Sequence, residues 1–381
     1  MRKVLLLGAS GNIGSQSLDI FKADRRNFQL VGISVGRQHD KIPAILRDFP
    51  SIASVYLIDE GAAERYKIVY PSVRFYCGDQ LKDLVADTSA DIVENALVGF
   101  SGLVPSVVAL EHNKILALSN KESLVVGGEL INKLLEEGHG KIWPIDSEHV
   151  ALAKCLHEVS RDDVEEMIIT ASGGSFRNLT RDELEGVTVK DALAHPTWSM
   201  GAKITIDSAT MMNKGFEVLE AHYLYNWPVS NIRVLLHKES YVHSLLKLND
   251  GSYIADVCPP DMHGPISYAL YEGNAFNHVD RTSSIEEFGN FTFKSFDKDR
   301  YPAVGLCLYA LEKGGIVPAL LNGANEEAVN LFLQEKIRFI DIETAVAYTM
   351  DAIPNIISPT LEDLIKADKQ ARKTVREYFN L

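Results

Sequence analysis

The sequence predicts an α/β protein in three parts: a parallel sheet with helices on both faces, a central α+β region and a helical C-terminal region. Three observations carry this. Up to about Asp146, short aliphatic runs alternate with helix-patterned stretches, the pattern of a parallel sheet. After Asp146 strands gather around turn residues, and from Pro302 onward apolar residues recur at helical spacing without a convincing strand. At 381 residues the chain also exceeds what one hydrophobic core usually serves.

In the first part, Val4 to Leu7, Gln29 to Val35, Ser54 to Ile58, Asp91 to Val93, Lys114 to Leu118 and Lys141 to Ile145 read as strands, with helices between most of them. In the second, a helix is expected from Glu148 to Glu158, and strands at Met167 to Ala171, Lys203 to Ile206 and Val234 to Leu236. Tyr241 to Tyr253 reads as strand, turn and strand around Asn249-Asp250-Gly251. Val329, Phe332 and Leu333, then Leu361, Leu364 and Ile365, mark helix faces in the third. The expected boundaries are 1–146, 147–275 and 302–381, with a linker over 276–301.

A net charge of −14 argues against a nucleic-acid surface, which needs clustered cations. An acidic protein can still hold a phosphorylated small molecule through local cations or helix N-termini. Cys77, Cys155, Cys258 and Cys307 form no CxxC pair, so neither a zinc knuckle nor a disulfide framework is indicated. The apolar run Val4 to Leu7 after Met1-Arg2-Lys3 breaks at Gly8, too short for a signal peptide, and no stretch is long enough to span a bilayer. A cytoplasmic protein with no membrane partner is expected.

Gly8-Ala9-Ser10-Gly11-Asn12-Ile13-Gly14 lies between an apolar strand and a helical pattern. Glycines there let backbone N–H groups approach a pyrophosphate, and the helix N-terminus adds favourable partial charge. The first part is therefore a Rossmann-like dinucleotide-binding domain, although the spacing is GxxGxxG and an ordinary tight turn is the competing reading. The second strand leads into Gly36-Arg37-Gln38, where an acidic residue would suit a ribose 2′-hydroxyl. An arginine suits a 2′-phosphate, so NADP is favoured over NAD.

Asn120-Lys121-Glu122 and Asp146-Ser147-Glu148 each follow a strand of this domain, which places both on the rim where ligands of open parallel sheets bind. Asp146 and Glu148 have the oxygen donors that hard divalent cations prefer, while Asp146 or Ser147 could equally cap a helix. A third carboxylate is available in Asp207 to Glu217. If a helix starts near Ser208, Asn213, Lys214 and Glu217 share a face, with Met212, Phe216 and Leu219 as the apolar stripe opposite. Gly215 inside that helix implies close approach by another group. Ser172-Gly173-Gly174-Ser175 is a second turn able to hold phosphate. His195-Pro196-Thr197-Trp198-Ser199-Met200-Gly201 has the make-up of a lid. A metal- and NADP-dependent hydroxy-acid dehydrogenase would share the first features, but the turns at Ser172 and Ser208 favour a sugar phosphate over a carboxylate substrate.

These segments, together with Ser119 to Leu124 and Asn322-Gly323-Ala324-Asn325-Glu326, resemble the 1-deoxy-D-xylulose 5-phosphate reductoisomerase family. The resemblance implies a homodimeric enzyme of non-mevalonate isoprenoid synthesis, with NADPH and Mg²⁺, Mn²⁺ or Co²⁺ as cofactors and a sugar phosphate as substrate. It implies that Asp146, Glu148 and Glu217 bind the metal, and that Ser172, His195, Ser208, Asn213 and Lys214 hold the substrate. Lys121 and Ser147 would lie nearer the reacting oxygens, and Trp198 in the lid. Ser10, Gly11, Asn12, Ile13, Gly36, Arg37, Gln38, Asn120, Glu122 and Gly201 would line the cofactor site. The chain departs from the usual family pattern in its Gly-Ala-Ser-Gly-Asn-Ile-Gly turn and in His237-Lys238-Glu239-Ser240, and no role is assigned to His237.

Overall fold

A computed structural model describes residues 1–198, 200–274 and 284–381. Ser199 and residues 275–283, where the expected linker begins, lie outside the described residues. The chain forms two compact units, one of Met1–Ser123, Glu129–Asp146 and Asp261–Asp280, the other of Leu124–Gly128, Ser147–Pro260 and Arg281–Leu381.

The first unit is built on strands β1 (Arg2–Leu7), β2 (Phe28–Val35), β3 (Ser54–Leu57), β4 (Arg74–Tyr76), β5 (Ile92–Asn95), β6 (Ile115–Leu118) and β7 (Lys141–Pro144). They pair in the order β4-β3-β2-β1-β5-β6-β7, every pair parallel. Helices α1 (Asn12–Ala23), α2 (Ile42–Asp48), α3 (Glu60–Val69), α4 (Leu81–Asp87), α5 (Leu103–Glu111) and α6 (Lys121–Glu136) alternate with the strands. Order reverses between β1 and β5, the switch point at which such sheets bind ligands. The strands read as continuous apolar runs because both faces are covered, and Val4 to Leu7 are all fully buried. Strand β4 escaped the sequence reading: three residues with exposed Arg74 at one end give too short a pattern.

The second unit opens with α7 (Ser147–His157) and a mixed sheet ordered β11-β10-β8-β9-β12. Its strands are β8 (Val164–Ala171), β9 (Ile232–Leu236), β10 (Val242–Leu248), β11 (Tyr253–Val257) and β12 (Lys294–Ser295). The expected hairpin around Asn249-Asp250-Gly251 is the antiparallel β10–β11 pair. The described part of the expected linker also supplies β12, which adds antiparallel to β9. Helices α8 (Val189–Ala192), α9 (Ala202–Thr210) and α10 (Met212–Tyr225) precede β9; α11 (His263–Leu270) belongs to the first unit. The C-terminal region is helical as expected: α12 (Pro302–Lys313), α13 (Val317–Leu333), α14 (Asp341–Ala352) and α15 (Leu361–Tyr378).

Two expectations do not hold in the structure. Lys203 to Ile206 is not a strand but part of α9, and the helix does not begin near Ser208. Instead α9 ends at Thr210, Met211 takes a left-handed conformation (φ +66°), and α10 starts afresh at Met212. A four-residue window with Ile204 and Ile206 cannot separate a period of two from one of 3.6. Burial decides the matter: Thr205, Ile206, Asp207, Ala209 and Thr210 are all enclosed, which outweighs a β preference of at most about 1 kcal/mol. The group approaching Gly215 is Cys307 of α12, whose Sγ a side chain at that position would strike.

Candidate active site

In the first unit, β1, β2, β6 and β7 all end on one rim, so the residues that follow them share it. Gly8 after β1 has φ +86°, and a Cβ there would lie 2.5 Å from the Ala96 carbonyl oxygen. A Cβ on Gly14 would run into the backbone of Gly8 and Ala9. The turn is held from below: Gly8 N–H donates to the Ser34 hydroxyl (2.9 Å), and Lys41 Nζ donates to the Ser10 carbonyl (2.9 Å). Lys41 was not foreseen, since nothing marks a lone lysine in sequence. Helix α1 starts at Asn12 with Gly11 as N-cap and no side-chain cap, so a phosphate could take that place. Arg37 and Gln38, just past β2, are exposed.

Asn120 is buried at the end of β6 and is committed to holding backbone. Its Oδ1 accepts from Ser123 N–H (3.0 Å), while Nδ2 donates to the carbonyls of Leu97 (3.0 Å) and Gly99 (2.9 Å) and to Glu122 (3.1 Å). The next residue, Lys121, donates from Nζ to Asp146 Oδ2 at 2.5 Å, with both side chains buried. A buried ammonium and carboxylate compensate one another, and removing either strands a charge.

Asp146 leads directly into α7, which carries Ser147 and Glu148 in its first turn. Ser147 Oγ donates to Glu148 Oε2 (2.7 Å). In the second unit, Lys214 Nζ bridges Glu148 Oε1 (2.9 Å) and Glu217 Oε2, and Asn213 Nδ2 donates to Glu217 Oε1 (2.5 Å). Asn213, Lys214 and Glu217 thus share one face of α10. The Lys214 ammonium is fully buried, yet the two carboxylates keep its pKa above the ordinary value against the effect of burial. One carboxylate oxygen from each of Asp146, Glu148 and Glu217 lies within 4.8 Å of the others, the one such acidic group among the described residues. Three carboxylates form an all-oxygen donor set, with room for further ligands in an octahedral shell, and this fits Mg²⁺.

A second cluster lies at the end of β8. Gly173 (φ +89°) and Gly174 (φ +69°) bend the chain so tightly that a Cβ on Gly174 would sit 2.5 Å from the Ser208 carbonyl oxygen. Ser172 Oγ and Ser208 Oγ each lie 3.3 Å from His195 Nε2. His195 Nδ1 accepts from the backbone N–H groups of Thr197 (3.2 Å) and Trp198 (2.9 Å). An N–H can only donate, so Nδ1 carries the lone pair and Nε2 carries the proton, aimed at the two serines. Burial, then the Arg177 charge, lowers the His195 pKa to about 4, so the ring is neutral at pH 7. Two hydroxyls thus converge on one Nε2–H, a donor set of the kind that suits an anion. Trp198 lies beside His243, ring centroids 6.1 Å apart. Gly201 is the exposed N-cap of α9.

His237, left without a role, is a fully buried staple: Nδ1 donates to the Thr292 carbonyl (3.0 Å), Nε2 accepts from Val242 N–H (3.2 Å), and the ring stacks on Phe293 at 4.8 Å. A second pair escaped the sequence reading. His149 Nε2 and Glu220 Oε2 lie 2.9 Å apart, both fully buried, one residue from Glu148 and one helical turn from Glu217. Each stands next to a foreseen carboxylate, but only the packing of α7 against α10 shows that they meet.

A parallel sheet with a glycine turn at the end of its first strand, an acidic trio and a serine–histidine donor cluster are the parts of a dinucleotide-dependent, metal-assisted oxidoreductase. The chain belongs to the 1-deoxy-D-xylulose 5-phosphate reductoisomerase family: the family's model matches residues 4–128, and models of its C-terminal domains match 142–225 and 257–374. It is 43% identical to the reductoisomerase of Halalkalibacterium halodurans over 98% of this chain and 99% of that one. Identity to the Clostridium kluyveri enzyme is 41% over the whole of both chains. Among solved structures, the Zymomonas mobilis reductoisomerase in complex with NADPH has a TM-score of 0.90 at 33% identity, covering 99% of each chain. A reductoisomerase in complex with NADPH, fosmidomycin and magnesium gives 0.93 at 32% identity, covering 100% of this chain and 99% of that one.

Proposed function

We propose that this enzyme rearranges 1-deoxy-D-xylulose 5-phosphate and reduces the product with NADPH to 2-C-methyl-D-erythritol 4-phosphate, a step of non-mevalonate isoprenoid biosynthesis. The observation that carries this is the convergence of Asp146, Glu148 and Glu217, which a simple dehydrogenase does not need. These three hold the divalent cation, Mg²⁺ by the oxygen donor set, with Mn²⁺ or Co²⁺ able to take the same ligands. When bound, the cation stabilises charge on adjacent carbonyl and hydroxyl oxygens of the substrate, and NADPH supplies the hydride.

The chain's own residues do the rest. Lys121 holds a proton on Nζ against Asp146, and Ser147 presents its hydroxyl beside Glu148, so donors stand next to the metal ligands. Ser172, Ser208 and His195 Nε2–H receive the phosphate, while Asn213 and Lys214 orient Glu217 and bring positive charge to an acidic protein. Trp198 closes over the substrate and excludes water. For the cofactor, Ser10, Gly11, Asn12 and Ile13 receive the pyrophosphate, Gly36, Arg37 and Gln38 the adenosine end, and Asn120, Glu122 and Gly201 complete the site. Four unpaired cysteines suit a reducing cytoplasm, and no helix among the described residues is long and apolar enough to cross a membrane. The homodimer implied by the family resemblance belongs to the same proposal.

The test is loss of reduced-nicotinamide absorbance when purified protein receives substrate, NADPH and Mg²⁺. The loss should stop on chelation and return on adding Mg²⁺ or Mn²⁺. No loss under any metal refutes the assignment.

A further inference from the structure

The residue before Ser208 is Asp207, a carboxylate only 1% exposed and therefore costly to bury without partners. It has two. Asn325, fully buried in the middle of α13, donates from Nδ2 to Asp207 Oδ1 at 2.9 Å. Lys203, one turn earlier on α9, pairs with Oδ2 at 2.8 Å, and its ammonium also lies over the Phe216 ring of α10, 5.2 Å from the centroid. One carboxylate thus ties α9 to a C-terminal helix and, through Lys203, to α10.

The place of this tie in the chain gives it a consequence. Four residues after Asp207 the backbone turns through left-handed Met211, and the break lets α9 present Ser208 while α10 presents Asn213 and Lys214. A non-glycine residue in that conformation persists only where its surroundings over-determine it. Ser208 has little latitude on its other side, because its carbonyl packs against Gly174. We propose that Asn325 and Asp207 are positioning residues for substrate phosphate: the C-terminal helices hold Asp207, and Asp207 sets the Ser208 hydroxyl opposite His195. Neither side chain touches substrate. The inference rests on the reading that Ser208 contacts the phosphate.

The test measures KM and kcat for 1-deoxy-D-xylulose 5-phosphate, protection by inorganic phosphate, NADPH affinity and melting temperature. Ser208→Ala tests the underlying reading; an unchanged KM and unchanged phosphate protection refute that reading itself. Given a KM effect for Ser208→Ala, Asn325→Ala should raise KM about tenfold, with a smaller change in kcat and unaltered NADPH affinity. The double variant should have the KM of Ser208→Ala, because Asn325 acts through Ser208. Exchanging the pair, Asp207→Asn with Asn325→Asp, keeps one carboxylate and one amide in the contact and should restore KM to within about threefold of the parent. If Asn325→Ala does not fold, Lys203→Met removes the carboxylate's other, less buried partner and should raise KM in the same sense. A lower melting temperature with unchanged KM, or additive effects in the double variant, overturns the proposal.

Discussion

The glycine turn after β1 and the acidic cluster around Lys214 are built on opposite principles. The turn is made of backbone: its specificity lies in the absence of Cβ atoms at Gly8 and Gly14, and of the intervening side chains Ala9 is buried, Ser10 and Ile13 are half-buried and only Asn12 is exposed. The acidic cluster is made of side chains drawn from the approach to α7 and from α10, buried or half-buried and held by hydrogen bonds from Lys121, Asn213 and Lys214. The first should tolerate chemical change but not bulk, and the second should tolerate neither loss of charge nor loss of a partner.

The largest effect is expected at the cluster. Glu217→Gln removes one of the three proposed metal ligands and leaves Lys214 with one carboxylate fewer, so kcat/KM should fall by more than about a hundredfold while NADPH binding is spared. Retained turnover would dismiss Glu217 as a ligand. Next comes bulk at the turn: Gly14→Ala forces a methyl into the backbone of Gly8 and Ala9, a strain of about 1–3 kcal/mol, and should weaken NADPH binding by roughly ten- to a hundredfold. Asn12→Ser, which adds no bulk, should bind NADPH as the parent does; calorimetric titration of both variants would sharpen or break the contrast.

Arg37→Ala tests the exposed side chain just past β2 that is proposed to meet the 2′-phosphate. Losing charge-assisted bonds worth about 1.5–3 kcal/mol should raise the NADPH Kd ten- to a hundredfold and leave NADH unchanged. An equal loss for both dinucleotides would make Arg37 a general surface charge.

The smallest effect concerns Glu94 on β5, the carboxyl beneath the turn. It is fully buried, accepts a hydrogen bond from Ser17 of α1, and burial pushes its pKa up to about 8. An unfolded glutamate titrates near 4.3, so between about pH 4.3 and 8 the folded chain keeps a proton that the unfolded chain has released. The carboxyl's stability contribution is therefore complete below about pH 4.3 and is lost as the pH rises to about 8. Glu94→Gln should melt close to the parent at pH 4.5 and above it at pH 8. A gap that does not widen between those pH values would mean that Glu94 is ionised in the fold.

Much of the site was legible because its residues come in short local runs. Asp146, Ser147 and Glu148 are contiguous, and Asn213, Lys214 and Glu217 fall within one helical turn, so a local pattern places them whatever the long-range packing. The misread stretch was Lys203 to Ile206, where a short β-branched run matched a strand as well as a helix and only the surrounding burial decided. The partners of Asp207 and His149 were illegible for a different reason. Asn325 and Glu220 lie 118 and 71 residues from them, and no periodicity spans such intervals.

By itself the sequence determined the local geometry: which turns need glycine, which strands are apolar on both faces, and that Glu148 and Glu217 lie on helices, because steric limits and side-chain period act over a few residues. Only the tertiary structure decided that α9 is a helix broken at Met211, that His195 carries its proton on Nε2, and that Asp207 is clamped by α13. Those outcomes depend on burial and on hydrogen-bond partners that chain folding brings together, and burial is a property of the whole fold.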